Sequence, residues 1–216
     1  NNKTMTQKAL KTELDSVSYA VGMSVAGSIK TSFKDGFDQD LFYQGFMNAT
    51  DSTNMLIEQA KVQQVLQAYF QKKQKAEQAK LLEEGKKNKE EGDTFLAENK
   101  AKEGVMTTDS GLQYMVMKEG NGEKPGPTSK VKVHYHGTLI DGTVFDSSVD
   151  RGEPSSFGVN QVIKGWTEGL QLMNIGSKYK FFIPSDLAYG ANPRPGGVIK
   201  PNSALIFEVE LLEITE

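Results

Sequence analysis

All seven prolines of this 216-residue chain lie after Gly104, together with most of its glycines. Proline cannot sit in a helix interior without removing a hydrogen bond and clashing with the preceding turn. The proline-free first half, dominated by Gln, Lys, Glu and Ala, can therefore be helical throughout; the second half cannot. This change marks a domain boundary near Gly104, and 216 residues suit two modest domains. Charge divides evenly across it, with 15 basic and 15 acidic residues up to Gly104, then 10 basic and 13 acidic, for a net charge of -3. With no basic run free of acids, nucleic acid is not an expected partner.

Other classes fall away on composition. The absence of Cys excludes disulfides, zinc thiolates and cysteine catalysis. No apolar run approaches the roughly 20 residues of a membrane span, so the chain reads as soluble. A start at Asn1 without Met is compatible with removal of a targeting or lipid-anchor segment.

In the first half, Asp15 or Ser16 is suited to cap a helix through Ile29, and Asp35-Gly36 to turn the chain. A second helix starting at Asp38 or Asp40 places Leu41, Phe42, Gly45, Phe46 and Ala49 on one face. From Met55 to Ala101 the spacing predicts one long helix, roughly 70 Å at 1.5 Å per residue if continuous. Between Gln71 and Glu91 its only large apolar residues are Leu81 and Leu82, which suggests a solvated connector with weak points at Gly85 and Gly92. A disordered charged linker is the alternative. Phe95 and Leu96 mark a return to packing. The short helices are too small to bury much alone, and Met5, Met23, Met47 and Met55 with Phe33, Phe37, Phe42, Tyr43 and Phe46 offer adaptable apolar surface for association. An ordinary small helical core competes with that reading.

The second half reads as strands at 111–117, 131–136, 178–183 and 204–214, with one helix at 161–172. The fold class is thus α+β: an N-terminal all-α module (1–54), a long connecting helix (55–104), and an antiparallel sheet wrapped around one short helix (105–216). Alternation puts Val131, Val133 and Tyr135 on one strand face and Lys132, His134 and His136 on the other. Two imidazoles without a third ligand make a poor metal site, so both are expected to face solvent and no metal is assigned. No credible nucleophile–base pair supports a hydrolase.

Four segments stand out: Val131-Lys132-Val133-His134-Tyr135-His136-Gly137, Phe145-Asp146-Ser147-Ser148, Gln161-Val162-Ile163-Lys164-Gly165-Trp166 and Leu187-Ala188-Tyr189-Gly190, closed by 205–211. In order and spacing they resemble the FKBP-type peptidyl-prolyl cis-trans isomerases over about half the chain. The resemblance implies an apolar pocket with Tyr135, Phe145, Asp146 and Tyr189 as catalytic residues. It implies substrate-binding roles for Arg151, Val162, Ile163, Trp166, Val198, Ile199 and Phe207, with Trp166 as floor and no cofactor. Such a site needs no nucleophile: rotating an X-Pro bond means breaking amide resonance over roughly 18 to 20 kcal/mol, and a dry pocket favours the less polar, twisted amide.

Ser18-Tyr19-Ala20-Val21-Gly22 and Tyr43-Gln44-Gly45-Phe46 resemble the helical module of the macrophage infectivity potentiator-like subgroup. That implies a homodimer through the N-terminal helices, with unfolded or partly folded proteins carrying X-Pro bonds as clients and macrolides as inhibitors. It also implies the periplasm or envelope of a Gram-negative bacterium, lipid-anchored in some members, with the cytoplasm an alternative. The chain departs from the family at Ser155, where an aromatic usually follows the proline, so one pocket wall is expected to be more open. The loop 191–202 is one residue longer than in short members. A holdase or proline-peptide binding module with incidental turnover is the competing function.

Overall fold

The computed structural model describes residues 7–216, so Met5 lies outside the described residues. The chain divides into two compact units, Asn1–Tyr69 and Phe70–Glu216.

In the first unit, α1 spans Glu13–Ser32 and α2 spans Gln39–Asp51. The start of α1 is a reciprocal capping box. The Asp15 N–H donates to Thr12 Oγ1 at 3.1 Å, and the Thr12 N–H donates to the Asp15 carboxylate at 2.9 Å. Thr12 is thus the cap, and Asp15 is its partner one turn in, not the cap itself. The backbone N–H groups of Lys11 and Thr12 hold the Asp15 carboxyl below its ordinary range. Asp38 caps α2 through the Leu41 N–H at 3.0 Å. Neither helix buries a residue. What apolar order exists is a ring cluster, with Phe33 stacked on Tyr69 at 5.9 Å and Phe42 edge-on to Phe37 at 5.7 Å.

The third helix, α3, is one continuous element over Val62–Lys100, which removes the disordered-linker alternative. It begins later than Met55 because a 3-10 turn at Gln59–Lys61 precedes it. Ion pairs line its exposed side, Lys87 with Glu91 at 3.8 Å and Lys89 with Asp93 at 2.6 Å. Within the second unit its buried positions are Gly85, Gly92 and Asn99. The two glycines are contact points, contrary to the solvated connector expected there. A Cβ on Gly92 would come 3.3 Å from that of Ala204, and one on Gly85 would come 3.3 Å from that of Pro201. Polar anchors join them: Asn88 donates to the Pro201 carbonyl at 2.9 Å, Asn202 donates to the Gly85 carbonyl at 3.1 Å, and Asn99 donates to the Gln113 side chain at 2.8 Å.

Seven strands follow: β1 Val105–Thr107, β2 Gln113–Lys118, β3 Lys130–Leu139, β4 Val144–Ser147, β5 Ser155–Gly158, β6 Lys178–Ile183 and β7 Leu205–Ile214. All pairings are antiparallel. The order is β1-β2-β6-β7-β3-β4, with β5 also pairing β3. One turn of helix, α4 (Ser148–Arg151), follows β4, and α5 (Lys164–Leu170) packs on the sheet. Helix α5 is shorter than the sequence suggests, because Val159–Gln161 forms a 3-10 turn and Ile163 is extended at ψ 150. The core joins Val131, Val133 and Tyr135 from β3 to Trp166 and Leu170 from α5, and to Phe181, Ile183, Leu205 and Val209. Each such side chain contributes about 1.5 to 3 kcal/mol of burial. No described helix is long and apolar enough to cross a membrane.

Candidate active site

Residues of the sheet, of α5 and of the loop 189–199 line a cleft of about 760 Å³. Its base is Trp166, only 5% exposed. Three rings stand nearly perpendicular to the indole: Phe207 at 5.1 Å, Tyr135 at 5.2 Å and Phe157 at 5.7 Å. Edge-to-face contacts of this kind suit opposed ring quadrupoles and hold the rings where they are. Phe145 meets Phe207 edge-on at 5.2 Å. That contact runs past Gly137, where a Cβ would sit 2.7 Å from atoms of both rings. The indole N–H is the one buried side-chain donor among the described residues without a hydrogen-bond partner.

One polar cluster borders this apolar bowl. The Tyr135 hydroxyl donates to Asp146 Oδ2 at 2.6 Å and accepts from Arg151 at 3.0 Å, while Arg151 also pairs with Asp146 Oδ1. Burial, then the bond to Asp146, raises the Tyr135 hydroxyl above its ordinary value. Burial and the charge of Asp146 do the same for Tyr189. Both phenols therefore remain protonated donors throughout the neutral range. The Asp146–Arg151 pair is about half exposed, so it sets orientation more than stability.

The histidines are placed differently from the solvent-facing expectation. His134 Nδ1 lies 2.9 Å from Ser148 Oγ, and His136 Nδ1 lies 2.8 Å from Ser147 Oγ. These serine–imidazole pairs do not form a hydrolase site, because Ser148 is fully buried and Ser147 is 5% exposed. Ser148 Oγ instead accepts the Tyr135 N–H at 2.8 Å, satisfying backbone that β4 leaves unpaired.

Tyr135, Phe145, Asp146, Val162, Ile163, Trp166, Tyr189, Val198, Ile199 and Phe207 all line the cleft, and Arg151 stands behind Asp146 and Tyr135. Phe157 was not anticipated. It stands two residues beyond Ser155 and adds a ring to the same wall, 6.0 Å from that of Tyr135. Once pairing with β3 makes 155–158 a strand, alternation puts Phe157 on the same face as Ser155.

Residues 121–212 match the family model described as FKBP-type peptidyl-prolyl cis-trans isomerase, and 14–116 match the domain amino terminal to it. The FKBP-type peptidyl-prolyl cis-trans isomerase FkpA of Aeromonas hydrophila is 47% identical over 201 residues, which span 91% of this chain and 74% of the relative. The chain belongs to the FKBP-type peptidyl-prolyl cis-trans isomerases.

Other relatives match over comparable lengths. The outer membrane protein MIP of Legionella longbeachae is 40% identical, over 95% of this chain and 88% of its own. The crystal structure of FkpA from Escherichia coli superimposes with a TM-score of 0.71 at 37% identity, covering 95% of this chain and 98% of that one. The N-terminal helices, the long helix and the antiparallel sheet with its short helix are thus the elements of an FkpA-like fold.

Proposed function

We propose that this FKBP-type isomerase turns X-Pro bonds in the cleft above Trp166, with Trp166 beneath the prolyl ring and Phe145, Phe157, Val162, Ile163 and Phe207 as walls. The observation that carries this reading is the contrast between four crossed aromatic rings and a single polar edge of Asp146, Tyr135 and Arg151. The planar amide is the more charge-separated state, so an apolar bowl raises it relative to the twisted one, and each 1.36 kcal/mol of difference is tenfold in rate. Asp146, oriented by Tyr135 and Arg151, faces the carbonyl as it turns. Tyr189 and the Ile163 N–H hold substrate carbonyls, and Val198 and Ile199 cover the bound segment. A macrolide would occupy the same bowl.

Residues 1–54 act as a dimerisation module, 55–104 as the connecting helix and 105–216 as the isomerase domain. The apolar positions that α1 and α2 leave open support a homodimer: Tyr19, Met23, Phe46 and Met47 are each more than half exposed. The same surface supports an accessory holdase activity toward partly folded clients. The envelope relative named an outer membrane protein supports a periplasmic or envelope location.

A prolyl isomerisation assay on wild type, Asp146→Leu and Tyr135→Phe, with folding verified for each, tests the site. Acceleration by wild type and loss of most of it in both folded variants is the expected outcome. Full activity in folded Asp146→Leu would remove the carboxylate from the mechanism. Suppression of aggregation of a proline-free client by that variant would separate holdase from isomerase.

A further inference from the structure

Two charged side chains line the cleft, Asp146 and Arg194. Asp146 is already matched by Arg151 and by the Tyr135 hydroxyl. The exposed Arg194 side chain has no ion pair or hydrogen bond among the described residues. The rim of an otherwise apolar cleft therefore carries one uncompensated positive charge. Lys164 and Lys200, both exposed, follow the cleft-lining Ile163 and Ile199 in the chain and are the next nearest cations in sequence.

The backbone that carries this charge is set by its turn. The Gly197 N–H donates to the Arg194 carbonyl at 3.3 Å, Pro195 follows Arg194, and Gly196 takes φ 76. This is the residue order of a turn in which proline presets φ and glycine accepts the left-handed conformation. Its backbone has little freedom left to lose on binding, so the entropic cost of pairing falls on the rotamers of the side chain itself.

We infer that Arg194 is a specificity residue that selects prolyl bonds flanked by an acidic residue, a carboxylate within two positions of the proline. The inference rests on the cleft being the prolyl site. The guanidinium is bonded to the carboxylate equally while the X-Pro bond is planar and while it is twisted, so the preference acts on KM and leaves kcat nearly unchanged. In the solvated rim a pair of this kind is worth about three- to fivefold at low ionic strength and is screened within a Debye length of roughly 8 Å at physiological salt.

The test compares kcat/KM for three otherwise identical peptides carrying Glu, Gln or Lys before Leu-Pro, at low and high salt, on wild type, Arg194→Gln and Arg194→Glu. Wild type is expected to prefer the Glu peptide over the Lys peptide about five- to tenfold at low salt, through KM. The ratio should move toward one with salt and in Arg194→Gln, and invert in Arg194→Glu. A wild-type ratio at or below one overturns the inference, as does a preference that persists in Arg194→Gln, which would place the field on the lysines. Failure to turn over even the Gln peptide would instead strike the reading of the cleft as the prolyl site.

Discussion

Ser148 shows how a fully buried residue can govern one that lines the cleft. Its hydroxyl accepts the Tyr135 N–H at 2.8 Å and lies 2.9 Å from His134 Nδ1, in a position with no solvent exposure. Ser148→Ala leaves that N–H without an acceptor, and an unsatisfied buried donor costs about 1 to 3 kcal/mol. Urea unfolding is expected to show a loss of that size. Isomerase activity should fall further than the unfolded fraction explains, because Tyr135 also loses its registration on Asp146, and Ser148→Thr should restore part of it. Equal stability for the alanine variant would mean that the backbone has found another partner. Gly137 imposes a similar constraint by volume, since any side chain there would displace Phe145 or Phe207.

Among the elements, β6 carries a group whose ionisation bears on the whole sheet. Tyr179 is 5% exposed, and its hydroxyl donates to Glu119 at 3.2 Å. Burial, then the charge of Glu119, pushes its pKa up to about 12. A phenol whose folded pKa is raised contributes stability that is complete below its unfolded value of about 10 and is lost as pH rises through the folded value. The stability advantage of wild type over Tyr179→Phe, followed by chemical unfolding, should therefore hold at pH 9 and disappear between pH 10 and 12. A difference that stays constant across that window would show that the phenol loses no more than its unfolded counterpart does. Helix α3 makes a complementary point. Its glycines lower helix propensity by about 1 kcal/mol each relative to Ala, and the helix is continuous through both. The compensating gain at Gly92 is the approach of α3 to Ala204.

For the whole molecule, the first unit poses the main energetic question. Helices α1 and α2 bury no residue, while Leu14 is 73% exposed and Met23 is 63% exposed. An apolar surface of this kind is stable in water only when something covers it, and a second copy is the proposed cover. Sedimentation equilibrium at micromolar concentration is expected to give the mass of a dimer, and Met23→Glu with Phe46→Glu to give a monomer or an unfolded N-terminal unit. A wild-type monomer with intact helices would refute the dimer. Two cleft-bearing domains in one assembly would raise avidity for a client with several prolyl bonds without any new contact.

The amino-acid sequence by itself determined the helical first half, the strand-rich second half and nearly all of the residues that line the aromatic cleft. These follow from proline placement, from residue periodicity and from short motifs whose order survives in one dimension. Tertiary structure alone decided the rest. Strands β1, β4 and β5 are three or four residues long and hold only through their partners, so local pattern could not announce them. Phe157 belongs to the cleft because β5 pairs with β3 and faces it toward Trp166. The histidines occupy the face that alternation assigns them, but the junction of β4 and α4 puts Ser147 and Ser148 against them. Gly85 and Gly92 looked like flaws in a solvated helix because what they meet, Pro201 and Ala204, lies more than 100 residues further along the chain. Contact between distant segments depends on register and packing, which no local window contains.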